Sequence, residues 1–157
     1  MYFIKEEFMS TKSEMIKSMW GVARHNLDRL CQNISKEHMN YKIHPESNSL
    51  GFLLLHIAEV EILFGNSVFA FNYTIKPKTF KKEEGVNYDN YEETIELLDK
   101  SKVLIADALN NAEELSWDNI VKTPIGEFTQ YDAIARIIAH TNYHSGQIGL
   151  ILKYGKN

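Results

Sequence analysis

Three prolines interrupt the 157-residue chain, and each falls between stretches whose apolar residues recur at helical spacing. Pro45, Pro77 and Pro124 therefore act as punctuation and leave four long segments free to be helices. That pattern predicts an all-α chain, a four-helix bundle packed as a single domain over residues 1–157. A chain of this length can bury a real core without disulfide or metal staples.

Each segment carries its own start signal. The first opens at Thr11, with Glu14 at capping-box spacing, and continues through Met15, Met19, Trp20, Ala23, Leu27, Leu30 and Ile34. The second starts around Ser47 to Ser49 and runs towards Phe71. Its apolar residues (Leu53, Leu54, Ile57, Val60, Leu63, Phe64 and Val68 among them) cover a wide arc, which marks it as the most buried helix. The polar stretch NYTIKPKTFKKEEGVNYDN follows, too long for a tight turn and suited to a crossover between helices 2 and 3. Asp89 or Asn90 caps the third helix, which should stop near Asn110-Asn111. In NIVKTPIGEFTQ, two β-branched runs flank Pro-Ile-Gly, the pattern of a small β-hairpin before helix 4. Thr129 then caps the last helix, with Asp132 at N3 and an end near Tyr154-Gly155.

Charge narrows the function classes. The formal net charge is −4 and the pI about 5.9, so there is no basic footprint for nucleic acid. Lys76, Lys78, Lys81 and Lys82 do cluster, but Glu83 and Glu84 follow at once, and the run reads as a solvated loop. A lone cysteine, Cys31, allows no internal disulfide and points to a reducing, cytoplasmic setting. The opening MYFIKEEFMS lacks the features of a signal peptide, and the longest apolar run, GFLLLHIAEV, reads as too short to span a membrane.

The histidines are the chemically informative residues. His140 and His144 lie four apart on helix 4, so they share a face, together with Ile137, Gln147 and Ile151. Buried imidazoles need partners for a donor and an acceptor each, and a divalent metal would supply one. With six histidines in the chain, such a pair arises readily by chance. Of the others, His25 lies off the helix-1 stripe, and His38 and His44 sit in a polar loop. His56 lies among Leu53, Ile57 and Val60 and must face the interior or its edge. It reads as a third ligand or as a core histidine bonded to a carbonyl or to Glu59.

A histidine near the start of helix 2, a long gap, and H-x3-H-x2-Q in the last helix resemble the DinB/YfiT-like superfamily. SNSLGFLLLHIAEVE is similar to its second helix, and TPIGEFTQYDAIARIIAHTNYHSGQIGLILKYG to its hairpin and fourth helix. The likeness runs from Trp20 to the end, except for the loop between Asn72 and Tyr91. Tyr143 departs from it, standing where many relatives have another histidine.

The resemblance implies that His56, His140 and His144 ligate a divalent metal: zinc, nickel, iron or manganese. Three neutral imidazoles leave at least one position open for water or substrate, as in catalytic sites. It also implies a metal-dependent enzyme, a thiol S-transferase or a hydrolase, that activates a low-molecular-weight thiol or water against a small electrophilic substrate. Bacillithiol and mycothiol are the thiols such relatives use. The alternative is a non-catalytic, stress-related metal-binding bundle. Glu59 and Gln147, each about a turn beyond a ligand, are candidates to orient ligands or accept a proton. Glu59 could equally be a solvent-facing carboxylate, and Glu61 is expected to point outward. Tyr143 either lines the pocket, where it would touch a cofactor, or packs in the core. Trp20, Arg24 and Asp28 could add a substrate wall, and Cys31 reads as a small core residue. Dimerisation is common among relatives, and Phe64, Phe69 and Phe71 suggest an apolar surface for a homodimer.

Overall fold

Thr11 accepts the backbone N–H of Glu14, and Glu14 reaches back to the N–H of Thr11, so helix α1 (Lys12–Cys31) starts at its capping box. The same logic starts the other three helices. Ser49 caps α2 (Leu50–Phe69), Asn90 caps α3 (Tyr91–Asn111) and Thr129 caps α4 (Gln130–Tyr154). The computed structural model describes residues 11–80, 87–112 and 114–156. The opening MYFIKEEFMS and the charged run Lys81 to Glu84 lie outside the described residues. Between α3 and α4, strands β1 (Ile120–Thr123) and β2 (Gly126–Thr129) form the expected antiparallel hairpin, with Val121 opposite Phe128.

Helix α2 is the centre of the bundle. It packs on α3 and α4, α1 packs mainly on α4, and α1 and α3 touch more sparsely. Leu50, Leu54, Ile57 and Ile62 on α2 are fully buried, each contributing about 1.5–3 kcal/mol of apolar transfer energy. Gly51 is required where α2 starts, because a Cβ there would meet the Tyr88 carbonyl oxygen at 2.1 Å. Among the described residues, α2 is also the one helix long and apolar enough to cross a membrane. This corrects the expectation that the apolar run is too short. In the bundle most of α2 is buried, so its apolarity serves the core.

The core divides into two apolar clusters. Leu27, Leu54, Ile57, Leu98 and Ile148 belong to one, and Trp20, Val60, Ile105, Ile134 and Ile137 to the other. On α1, α3 and α4 a polar residue stands where one cluster gives way to the other (Arg24, Ser101 and Thr141), and Glu61 of α2 lies just beyond that point. They meet. Arg24 Nη1 donates to Glu61 Oε2 at 2.8 Å, Thr141 Oγ1 donates to Glu61 Oε1 at 2.9 Å, and Ser101 also donates to Oε2. Arg24 Nη2 reaches the Leu98 carbonyl at 2.7 Å, and its Nε reaches Asp28 at 3.1 Å. Burial pushes the Glu61 carboxyl above its ordinary range, while Arg24 and the Ser101 and Thr141 hydroxyls hold it down.

Glu61 thus corrects the expectation that it points outward, being 0% exposed. It lies four residues after Ile57 and three before Phe64, on the interior face, and its three donors make that position tenable. The aromatic end of α2 is partly inside. Phe64 is buried, Phe69 stacks on Phe71 with centroids 5.6 Å apart, and Phe69 meets the buried Trp117 edge-on. Of the three aromatics expected to face a second copy, Phe64 is buried and Phe69 and Phe71 are half-buried. The exposed Met15, Met19 and Val22 lie instead along the outer face of α1.

Candidate metal centre

At the level of the same polar waist, His56 from α2 meets His140 and His144 from α4. Ring centroids are 4.9 Å apart for His56 and His140, 5.2 Å for His56 and His144, and 4.4 Å for His140 and His144. One nitrogen from each ring lies within 4.8 Å of the others, the one such group of three among the described residues. Their surroundings fix the tautomer of two of the rings. Thr79 donates its hydroxyl proton to Glu59, so at 2.8 Å it can only accept from His56 Nδ1–H. His144 Nδ1 meets Gln147 Oε1 at 2.6 Å and must also be the donor. Each Nε2 is then left with a free lone pair.

His140 has no such support. Its Nδ1 is buried without a hydrogen-bond partner. Burial, reinforced by the neighbouring imidazoles, pushes the His140 pKa down to about 3 and His56 down to about 4. Burial also lowers His144, against the opposing pull of Gln147. Three neutral rings, two oriented and one lacking a partner, fit a divalent cation that takes one nitrogen from each.

The depressed pKa values carry a pH signature. Above about pH 6.5 the histidines are neutral in both folded and unfolded chains and add no pH dependence. Below it the unfolded chain binds protons that folded His56 and His140 refuse until about pH 4 and 3. Metal-free protein should therefore lose stability as pH falls from 6.5 towards 4, and a His56→Leu/His140→Leu variant should lose less. Urea midpoints at pH 7, 6 and 5 test this; parallel declines in the two proteins would refute it.

Glu59 reaches this site indirectly. It is 2% exposed, and its carboxylate accepts the backbone N–H of Lys78 at 2.6 Å, that of Thr79 at 3.0 Å, and the Thr79 hydroxyl. It is neither solvent-facing nor in contact with a histidine; it fixes the crossover segment so that Thr79 can orient His56. Thr79 is the residue that sequence reasoning missed, because no local pattern links position 79 to position 56. Thr79→Val should weaken metal binding about 10–100-fold, as loss of a ligand-orienting partner does, while Thr79→Ser retains most of it. Competition against a chromophoric chelator measures both, and wild-type affinity in the valine variant would refute the role.

Beside His56 and His140 lies a cavity of about 410 Å³. Val60, Phe64 and Ile137 line it from the helices, Phe80 from the crossover and Ile125 from the hairpin. Arg136, a second residue not anticipated, also lines it; its signal was present as R-x3-H-x3-H on one face of α4. Tyr143 does not line this cavity and is not in the core. It is 64% exposed, and its hydroxyl accepts from Gln147 Nε2 at 3.2 Å, so it backs the residue that orients His144. Trp20, Arg24 and Asp28 border a separate groove between α1 and α3, with His25, away from the three-histidine cavity. His38 is engaged with Ser35, and His44 with Glu46. Burial pushes the Cys31 thiol up to about 11, consistent with an unreactive packing residue.

A helical bundle with three convergent histidines beside an apolar cavity defines a class, the bundles that carry a candidate metal site. The DinB family model matches residues 9–155, and the chain belongs to that family. Solved structures share the fold. A DinB-like protein from Bacillus cereus aligns with a TM-score of 0.70 at 16% identity, over 88% of this chain and 89% of that one. A DinB-like protein from Bacillus subtilis gives 0.65 at 22% identity, over 88% and 90%. A mycothiol-dependent maleylpyruvate isomerase gives 0.67 at 16% identity, over 90% of this chain and 64% of that one. Comparison with curated proteins finds no match.

Proposed function

We propose that this chain is a metal-dependent enzyme that activates a small thiol or water at His56, His140 and His144. The activated group is transferred to a small electrophilic substrate, or hydrolyses it. The observation that carries the reading is the buried, partnerless Nδ1 of His140, in a ring 4.9 Å from His56 and 4.4 Å from His144 beside an apolar cavity. A divalent ion held there would supply Lewis acidity, favouring the deprotonated form of a thiol or water.

The chain's own residues orient and enclose. Thr79 and Glu59 fix the tautomer of His56, and Gln147 that of His144. Val60, Phe64 and Ile137 give the cavity apolar walls. Glu59 has both oxygens engaged by the crossover, so its part is orientation rather than proton transfer from substrate. The mycothiol-dependent isomerase among the structural neighbours favours the thiol over the water branch.

Elemental analysis of untagged protein beside His56→Ala is the first test, followed by assays with low-molecular-weight thiols and ester substrates. Stoichiometric metal lost in the variant, with metal-dependent consumption of thiol and electrophile, is the expected result. Metal-loaded protein that consumes neither thiol nor ester would overturn the enzyme reading in favour of a non-catalytic metal-binding bundle.

A further inference from the structure

We propose that Arg136 anchors a carboxylate, so that the cavity beside the histidines takes a small apolar molecule bearing one carboxylate group. Calling that molecule the substrate rests on the metal-enzyme reading above; its binding does not. Arg136, His140 and His144 stand at i, i+4 and i+8 on α4, so they form one stripe with successive residues about 6 Å apart along the axis. Arg136 and His140 both line the cavity.

The charge of this cavity is one-sided. Arg136 forms no ion pair with any described residue, and none of the described residues lining the cavity is acidic. Its guanidinium carbon sits 4.2 Å from the centroid of Phe128, a cation–π contact that positions the group without neutralising it. Glu127, the hairpin's acid, lies 3.9 Å from Lys122, and the Glu59 carboxylate is committed to Lys78 and Thr79. Three neutral imidazoles would leave a bound divalent ion's charge undiminished. The site then presents positive charge with no carboxylate among its described lining residues to balance it, and an anionic ligand supplies that balance.

The rest of the cavity describes the body of the ligand. Val60, Phe64, Phe80, Ile125 and Ile137 offer apolar and aromatic surface and no hydrogen-bonding side chain. Its volume of about 410 Å³ lies in the range of small-molecule sites. The planar guanidinium fork matches a carboxylate in two-point geometry, which separates a carboxylate from an uncharged isostere of the same shape. Arg136 is thus a specificity-determining residue for the end of the ligand away from the histidines.

The test uses metal-free protein, so that a carboxylate cannot bind through the metal. Isothermal titration compares 3-phenylpropanoate with 3-phenylpropanamide on the natural chain, Arg136→Gln and Arg136→Lys. The natural chain should prefer the acid by about tenfold or more, the scale of a charge-assisted hydrogen bond. Arg136→Gln should erase the preference while leaving amide affinity unchanged, and Arg136→Lys should keep part of it. An undiminished preference in Arg136→Gln, no preference in the natural chain, or no binding of either probe would each overturn the proposal. Elemental analysis stands apart from these outcomes. A chain that holds no metal yet shows the Arg136-dependent preference supports this inference while removing the metal reading.

Discussion

Replacing Glu61 by alanine is expected to destabilise the protein by about 3–5 kcal/mol, the cost of stranding a buried charge. For a domain of this size that lowers the melting temperature by about 6–20 °C. The reason lies in the geometry. Arg24 is 3% exposed and Glu61 0%, so once Glu61 is removed Arg24 Nη1 is buried with no acceptor, and only Asp28 and the Leu98 carbonyl still hold the guanidinium. Ser101 and Thr141 lose an acceptor as well, and with it the link from α2 to α3 and α4. A double variant, Arg24→Met/Glu61→Leu, should recover most of the loss, because apolar groups of similar volume commonly replace a buried pair without penalty. Thermal and urea denaturation of the three proteins measure this. A Glu61→Ala protein as stable as the natural one would refute it, and so would a double variant no better than the single.

The second large effect is a trade between stability and binding. His140→Leu should make metal-free protein more stable by about 1–3 kcal/mol, because a buried nitrogen without a partner is removed. The same change should abolish metal binding, since two imidazoles on separate helices no longer share a third. Natural protein should gain about 2.7 kcal/mol from a metal at 100 times its Kd, and the variant nothing. Melting curves with and without added zinc or nickel separate the two effects. A variant that still melts higher with metal would show that His140 is not a ligand. One that is destabilised without metal would show that its ring is satisfied in the folded chain.

Where the sequence could be read, local rules dominate. Thr11, Ser49, Asn90 and Thr129 announce their helices by cap chemistry acting over three residues, and the hairpin by Pro124-Ile125-Gly126. His140 and His144 were visible for the same reason: four residues is one turn. Glu61 was misplaced because its justification lies on three other helices, at positions 24, 101 and 141. From sequence alone each of those is a stray polar residue in an apolar stripe. Thr79 and Phe80 were invisible for a related reason, since an irregular crossover has no period to reveal what it touches. Arg136 was legible in its spacing, but its role needed the cavity to be seen.

The provenance of the cavity wall bears on how such a protein can diversify. The three clustered histidines come from two helices locked into the bundle, whereas Phe80 and Ile125 come from two short connecting segments. Those two positions can change without altering the helices that carry the histidines and Arg136. A library confined to positions 80 and 125 would search new cavity shapes while leaving the four helices and the packing between them where they are.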